Sequence, residues 1–256
     1  MKDISMYVVS HKKENKNYKD RQYIYVSDKT KDMPNNDNTG DNIHDKNPSF
    51  CELTAIYWIW KNDDESKYIS IEHYRRVFGF NLFNVKNYYA ISKEKALKLL
   101  TKYDIVVSYN VLHRQSIEFI YKDEVNPYDL KIVEDVIKNK YPEYLDDFNL
   151  AIKANYGYVC NMMIVNKEWF NDYCTWLFDI LFEVDKKVNL NGRKGNQIRY
   201  AGYLGEILMN VYLFHHKKLK IKSKPLIFTA KNRLIALFKL IRLRLIFLVR
   251  KKKVFD

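Results

Sequence analysis

Short runs of β-branched and aromatic residues alternate along this chain with segments of helical period, and that alternation most constrains the fold. ISMYVVS (4–10), QYIYVS (22–27), YISIEHY (68–74), KYDIVVSYN (102–110) and YGYVCNMMIV (156–165) read as strands, each short and bounded by polar residues. Between them, Ser49 and Glu52 have capping-box spacing ahead of Leu53, Ile56, Tyr57 and Trp60, which predicts a helix starting at Ser49. Further helices are predicted over 92–101 and 126–153, the latter with Asn126 as cap, Pro127 in the first turn and Pro142 opening a second piece. Asn166 is placed to cap a long helix with an apolar stripe of Trp169, Tyr173, Trp176, Leu177, Ile180, Leu181 and Val184, and another helix runs from about Arg199 to Phe214. Strands that alternate with helices imply an α/β domain with a largely parallel sheet.

The length, 256 residues, suits one such domain plus a small appendage. A hydrophobic content of 47% and an aromatic content of 15% exclude disorder. The net charge of +13 is unevenly spread, because residues 224–256 hold ten Lys or Arg against one acid. A body so mildly basic argues against a nucleic-acid-binding protein, which would carry a basic stripe across its face. The compositional break near Lys224 and Pro225 divides the chain into a domain over 1–224 and a basic tail over 225–256. The longest uncharged apolar runs of the tail, Leu234–Phe238 and Leu245–Val249, are five residues each. Spanning hydrocarbon as a helix takes ~20. Lys231, Lys239, Arg242 and Arg250 share one arc of a helical wheel, with Arg233 and Arg244 off it, so the tail reads as an amphipathic helix on an anionic membrane surface, or alternatively as one packed on the body. Cys51, Cys160 and Cys174 are odd in number and lack metal spacing, and the N-terminal apolar stretch is too short for a signal peptide; both point to a reducing, cytoplasmic setting.

GxGxxG, GxxxxGK[ST] and GxSxG are absent from the sequence, as is Asp-x-Asp, the carboxylate pair by which many nucleotide-sugar transferases hold a divalent metal. The remaining polar clusters follow predicted strands or precede helices, where open α/β sheets bind ligands. His73-Tyr74-Arg75-Arg76 ends a strand, and two adjacent guanidiniums suit a diphosphate; the plainer reading is a strand end dressed with surface arginines. Asp37, Gly40, Asp41 and Asn42 lie in a loop where Asp41 is a candidate base, although such loops also read as plain Asx turns. Trp58 lies off the apolar stripe of its helix and is a candidate to stack on a base or sugar, whereas Glu52 is explained as a cap and Asp63 as a solvated carboxylate. Asn161 is a lone polar residue in an apolar strand and needs a partner if buried. Arg199, Tyr203, Glu206 and Asn210 share one helix face, which is either solvated or presents Glu206 to a cleft.

In order and spacing, DNTGDNI (37–43), CELTAIYWIWKN (51–62), HYRR (73–76), NMMIVNKEWFNDYCTWLFDIL (161–181) and IRYAGYLGEILMNVYL (198–213) resemble a bacterial family known as a domain of unknown function, found in capsular and exopolysaccharide loci and including galactofuranosyltransferases. The resemblance covers about residues 4–222. It implies a glycosyltransferase A-type, Rossmann-like nucleotide-sugar domain, a UDP-sugar donor with UDP-galactofuranose leading, and inverting transfer to a lipid-linked saccharide at the inner face of the plasma membrane. In that setting Arg75, Arg76 and Tyr74 hold the diphosphate, His11, Lys12 and Asn161 border the donor, and Asp37, Asn42 and Trp58 contact substrate. The base is one of Asp41, Glu206 or His73. No metal is expected to be required, an unorthodox site at Asp41 and His73 being the alternative, and no nucleic acid is expected as partner. His44, Ser70-Ile71-Glu72 and Glu206-Ile207-Leu208 depart from the usual family residues. The competing reading is a non-catalytic interaction protein of the polysaccharide machinery.

Overall fold

The structure, a computed structural model, describes residues 2–15, 18–79, 90–124 and 126–228. Strand β1 (Lys2–Ser10) is buried from Ile4 onward, so both its edges and both its faces must be covered. It runs parallel to β2 (Gln22–Tyr25) on one edge and parallel to β3 (Ser66–His73) on the other. Beyond β3 the sheet continues antiparallel through β8 (Met163–Asn166) to β5 (Ile105–Ser108), and then parallel to β9 (Ile221–Lys224). β4 (Arg76–Phe78) turns back tightly from β3, with His73 opposite Arg76, and β10 (Leu226–Phe228) pairs antiparallel with it. A separate pair joins β6 (Val111–Leu112) to β7 (Tyr156–Gly157).

Alternate residues of the strands feed different cores, as the period of two requires. Tyr7, Val9, Ile105, Val107, Met163 and Val165 enter the larger core with helices α2 (Leu53–Asn62), α5 (Tyr128–Lys140), α6 (Leu145–Lys153), α7 (Lys167–Asp185) and α8 (Tyr200–His215). Ile4, Met6, Val106 and Ile164 face the other way, toward Ala96 of α3 (Lys93–Leu100). The expected α7 stripe is core: Asn166 Oδ1 accepts from Trp169 N at 2.7 Å, and Tyr173 through Val184 bury one side of the helix. The expected Asn126 cap is not formed: Pro127 holds the N-cap position of α5 without a side-chain bond, and Asn126 Oδ1 accepts from Tyr128 N at 3.0 Å in the turn that leads into the helix.

Four other local expectations are corrected. The helix expected from Ser49 is two, α1 (Asn47–Phe50) and α2, separated by Cys51 at φ +53°, and Glu52 makes no capping bond. Asn161 lies in a turn at φ +46° and not in a strand, because Cys160 at φ +78° breaks the run before β8 begins. Asp63 is buried, accepting from Tyr7 Oη at 2.6 Å and Ser66 Oγ at 2.8 Å. The sheet also runs through the expected boundary at 224/225: Pro225 O accepts from Gly79 N at 2.9 Å and β10 follows, so the folded body reaches Phe228. The amphipathic helix expected in the tail lies, beyond Phe228, outside the described residues.

Glu72, in the middle of the sheet, is matched by Arg21. The guanidinium forks onto the carboxylate, and Glu72 Oε1 also accepts from Phe78 N at 2.8 Å, with both side chains sealed from solvent. Removing one partner strands the other charge in the core. Arg21→Met is therefore expected to destabilise the protein by about 3–5 kcal/mol in urea denaturation.

Candidate functional site

Because β1, β2 and β3 are parallel, their C-terminal ends emerge at one edge of the sheet, where ligands of open α/β sheets bind. The segments leaving them, Ser10–His11, Val26–Lys29 and Tyr74–Arg76, form one wall of a cleft of about 770 Å³. The opposite wall comes from Asn47 and Pro48 at the start of α1, from Cys51 and Glu52, and from Arg199, Gly202, Tyr203 and Glu206 at the N-terminal half of α8.

The floor holds two carboxyl groups. Glu206 keeps part of its surface on the cleft, but its carboxyl is enclosed by protein; burial, reinforced by the charge of Glu52, pushes it up to about 7, with a hydrogen bond to the Cys160 backbone and then the charges of Arg76 and Arg199 only partly offsetting this. Glu52 is held by Asn161, whose Nδ2 donates to Glu52 Oε1 at 2.8 Å and to Gly202 O at 3.3 Å. Gly205 lets α8 approach this closely, since a Cβ there would lie 2.9 Å from Leu53 Cδ1 and 3.3 Å from Asn161 Nδ2. Two sulfur atoms seat two arginines: Arg76 Nη1 donates to Cys160 Sγ at 3.2 Å and Arg199 Nε to Cys51 Sγ at 3.3 Å.

Four of the five non-glycine residues with positive φ among those described, Ser27, Cys51, Cys160 and Asn161, lie in or beside the cleft. Such backbone costs about 1–3 kcal/mol per residue and concentrates where a site must be pre-shaped. The mouth is cationic. Burial and then Arg75, Lys12, Lys29 and Arg199 hold the His11 imidazole below its ordinary value. Arg75 and Lys12 also lie over the Tyr74 ring, 5.1 and 5.0 Å from its centre. His73 lines the cleft with its imidazole kept neutral, chiefly by burial and further by Arg76 against the opposing pull of Glu52, and its Nε2 has no protein partner.

The sequence-derived candidates therefore divide. His11, His73, Tyr74, Arg75, Arg76 and Glu206 line one cleft, Asn161 supports it through Glu52, and Lys12 stands at its rim over Tyr74, ion-paired with Glu14 at 3.3 Å. Asp41, Asn42 and Trp58 do not line it. Asp41 Oδ1 accepts from Tyr57 Oη at 3.1 Å and its backbone is pinned by Asn62; Trp58 Nε1 donates to Thr39 O at 2.9 Å; Asn42 bonds Gly40 O and His44 N. Asp41 lies off the cleft that His73 lines, so the two residues of the alternative metal site do not share it. Among the described residues no cluster of three or more His, Cys, Asp or Glu is arranged to hold a metal ion. Asp37 is fully buried and bonds His44 Nδ1 at 2.6 Å; His44 reaches on to Asp28, a cleft residue, at 3.4 Å. Sequence reasoning missed Glu52, Asp28 and Arg199 as cleft residues. The signal for Glu52 lay in CELTAIYWIWKN but was absorbed by its capping-box spacing.

The fold is similar to that of the WbbM bifunctional glycosyltransferase in its solved apo structure, with a TM-score of 0.80 and 24% identity over 90% of this chain. The chain spans about half the length of that protein, 46% of it. At this identity the likeness establishes the architecture, a Rossmann-like α/β fold of the glycosyltransferase A type. No curated protein matches the chain significantly. The family described as domain of unknown function DUF4422 matches residues 5–218, which include every residue that lines the cleft, and the chain belongs to it.

Proposed function

We propose that the cleft binds a nucleotide sugar and transfers the sugar, with inversion, to an acceptor hydroxyl. The observation that carries this reading is a carboxyl group poised near neutrality, Glu206, in one cleft with Arg75 and Arg76, which follow the C-terminal end of the parallel strand β3, and with Arg199 at the start of α8. A base of that strength takes the acceptor proton as the acceptor oxygen attacks the anomeric carbon. The bond from that carbon to the diphosphate oxygen breaks, and the nucleoside diphosphate leaves with the electron pair, its added charge met by the guanidiniums. The architecture shared with a glycosyltransferase supports the reading. UDP-galactofuranose as donor and a lipid-linked saccharide as acceptor rest on the resemblance of HYRR and CELTAIYWIWKN, and the arginines take the place of a divalent metal in this proposal. The test is release of UDP from a panel of UDP-sugars that includes UDP-galactofuranose, with and without a chelator. Turnover of at least one donor that survives chelation supports the proposal; no turnover of any donor, with or without added manganese, sinks it.

We further propose that the tail attaches the protein to the inner face of the plasma membrane. No helix among the described residues is long and apolar enough to cross a membrane. Anionic lipid adds ~1 kcal/mol for each basic residue near the surface, so the nine Lys or Arg in 229–256 suffice for reversible attachment. Since β10 belongs to the sheet, the informative truncation ends at Phe228 and not at Lys224. A chain ending at Phe228 is expected to keep the full melting temperature and to sediment no longer with phosphatidylglycerol vesicles, whereas one ending at Lys224 also melts earlier. Vesicle binding undiminished in the Phe228 truncation rules the tail out as anchor.

A further inference from the structure

A second cavity, of about 220 Å³, lies on the other side of Glu206 and Tyr203, which line both it and the cleft. We infer that this second cavity is the acceptor subsite, shaped for one sugar ring that carries an apolar aglycone. The inference rests on reading the larger cleft as the donor site.

A base must touch the acceptor hydroxyl, while the diphosphate belongs among the cations. Among the described residues Glu206 is the one carboxyl residue that lines both spaces, and it stands between the cationic wall and the smaller cavity. Among the described residues no Lys or Arg lines that smaller cavity, whereas the cleft wall carries several. Ile117, Ile120, Tyr121, Tyr158 and Ile207 give it apolar and aromatic walls, which suit the C–H faces of a sugar ring and not its hydroxyls. Asn210 is committed to building the pocket: its Oδ1 accepts from Tyr158 N at 2.8 Å and its Nδ2 donates to Tyr158 O at 2.9 Å. Gly157 makes room for that clamp, since a Cβ there would lie 3.1 Å from Asn210 Oδ1. Among the described lining residues, the polar side chain left to meet a hydroxyl, besides Glu206 and the tyrosine hydroxyls, is His113, which burial keeps neutral and therefore able both to donate and to accept.

Two helices that line the cavity, and the strand that leads into His113, also carry exposed apolar residues. Val111 on β6, Phe119 on α4 (Ile117–Glu124) and Leu150 on α6 are 39%, 46% and 51% exposed, which provides surface for an aglycone extending from the ring.

The test is equilibrium binding of octyl galactoside and octyl glucoside to the whole protein, with UDP affinity measured on the same samples. Ile120→Trp, which fills the cavity, and His113→Ala, which removes the free imidazole, are each expected to weaken glycoside binding by roughly tenfold or more. UDP affinity should stay at the wild-type level, which also reports that the variants are folded; where Ile120→Trp disturbs α4, His113→Ala carries the test. Absence of saturable binding of either glycoside to the wild-type protein, or binding unmoved in His113→Ala, overturns the inference. A wild-type protein that binds the glycosides in a His113-dependent way but does not bind UDP overturns the donor reading instead, and leaves the cavity a saccharide site.

Discussion

Glu206→Gln is expected to lower kcat by about 10²–10⁴-fold, the range that a positioned general base supplies, while leaving UDP affinity unchanged. The same substitution is expected to stabilise the fold. Burial and the neighbouring Glu52 raise the Glu206 carboxyl from 4.5 to about 7, so the folded state holds a proton that the unfolded chain releases in mild acid. Stability contributed by this group is intact below its unfolded value, declines as pH rises through the interval up to about 7, and is level above it. Glutamine does not ionise and escapes that decline. Above pH 7 the variant should therefore gain up to about 3 kcal/mol over the wild type, and below pH 4.5 nothing. For the wild type, kcat/KM should rise with pH through about 7 and then level, because the base acts only when ionised. Urea denaturation at pH 4 and pH 8, together with the rate profile, checks both halves. A variant that keeps its kcat would pass the role of base to His73. A variant that loses kcat without gaining stability at pH 8 would mean that the carboxyl is not held out of water.

What could be read from the sequence was what neighbouring residues decide among themselves. Asn166 and the stripe behind it are enough to make α7, since the cap bond to Trp169 spans three residues and the apolar period needs no distant information. HYRR was legible for the same reason: its cations are adjacent in the chain, and a strand must end somewhere near them. Glu52 was misread because a local explanation was at hand. Its actual partner, Asn161, is 109 residues away and reaches it only after α8 has packed against Leu53. Whether Trp58 and Asp41 face the cleft or the outer side of α2 depends on the helix break at Cys51, a positive φ on a residue type that gives no hint of it. Asp63 shows the same limit from the other direction. Beside Asp64 and Glu65 it looks like a solvated acid, yet it lies near the start of β1, where Tyr7 closes on it. The boundary at 224/225 was drawn from charge, and charge does not record that β4 had an unpaired edge for Leu226–Phe228 to fill.

Arg76→Ala is expected to cut kcat/KM by about 10²–10³-fold, as loss of one pre-placed donor to a developing anion does, and Arg75→Ala to have an effect of the same kind. The two differ in what else they do. Arg76 donates to Cys160 Sγ at 3.2 Å and its charge lowers the pKa of Glu206, whereas Arg75 lies over the Tyr74 ring and is not among the leading influences on Glu206. Removing Arg76 therefore leaves Glu206 with burial and the repulsion of Glu52 less opposed, and its carboxyl should titrate above its present value of about 7. The midpoint of the kcat/KM profile should move to higher pH in Arg76→Ala and stay in place in Arg75→Ala. Part of the Arg76→Ala loss measured at pH 7 should then be recovered at pH 9, where even a weakened acid is ionised, while the Arg75→Ala loss should be the same at both. Arg76→Lys preserves the charge but not the planar fork; it should restore the midpoint without restoring the full rate. Rates at the wild-type level in both alanine variants would remove the arginines from the diphosphate. Midpoints that coincide in all three proteins would separate Arg76 from Glu206 and leave the titration of that carboxyl to burial, Glu52, the Cys160 backbone and Arg199.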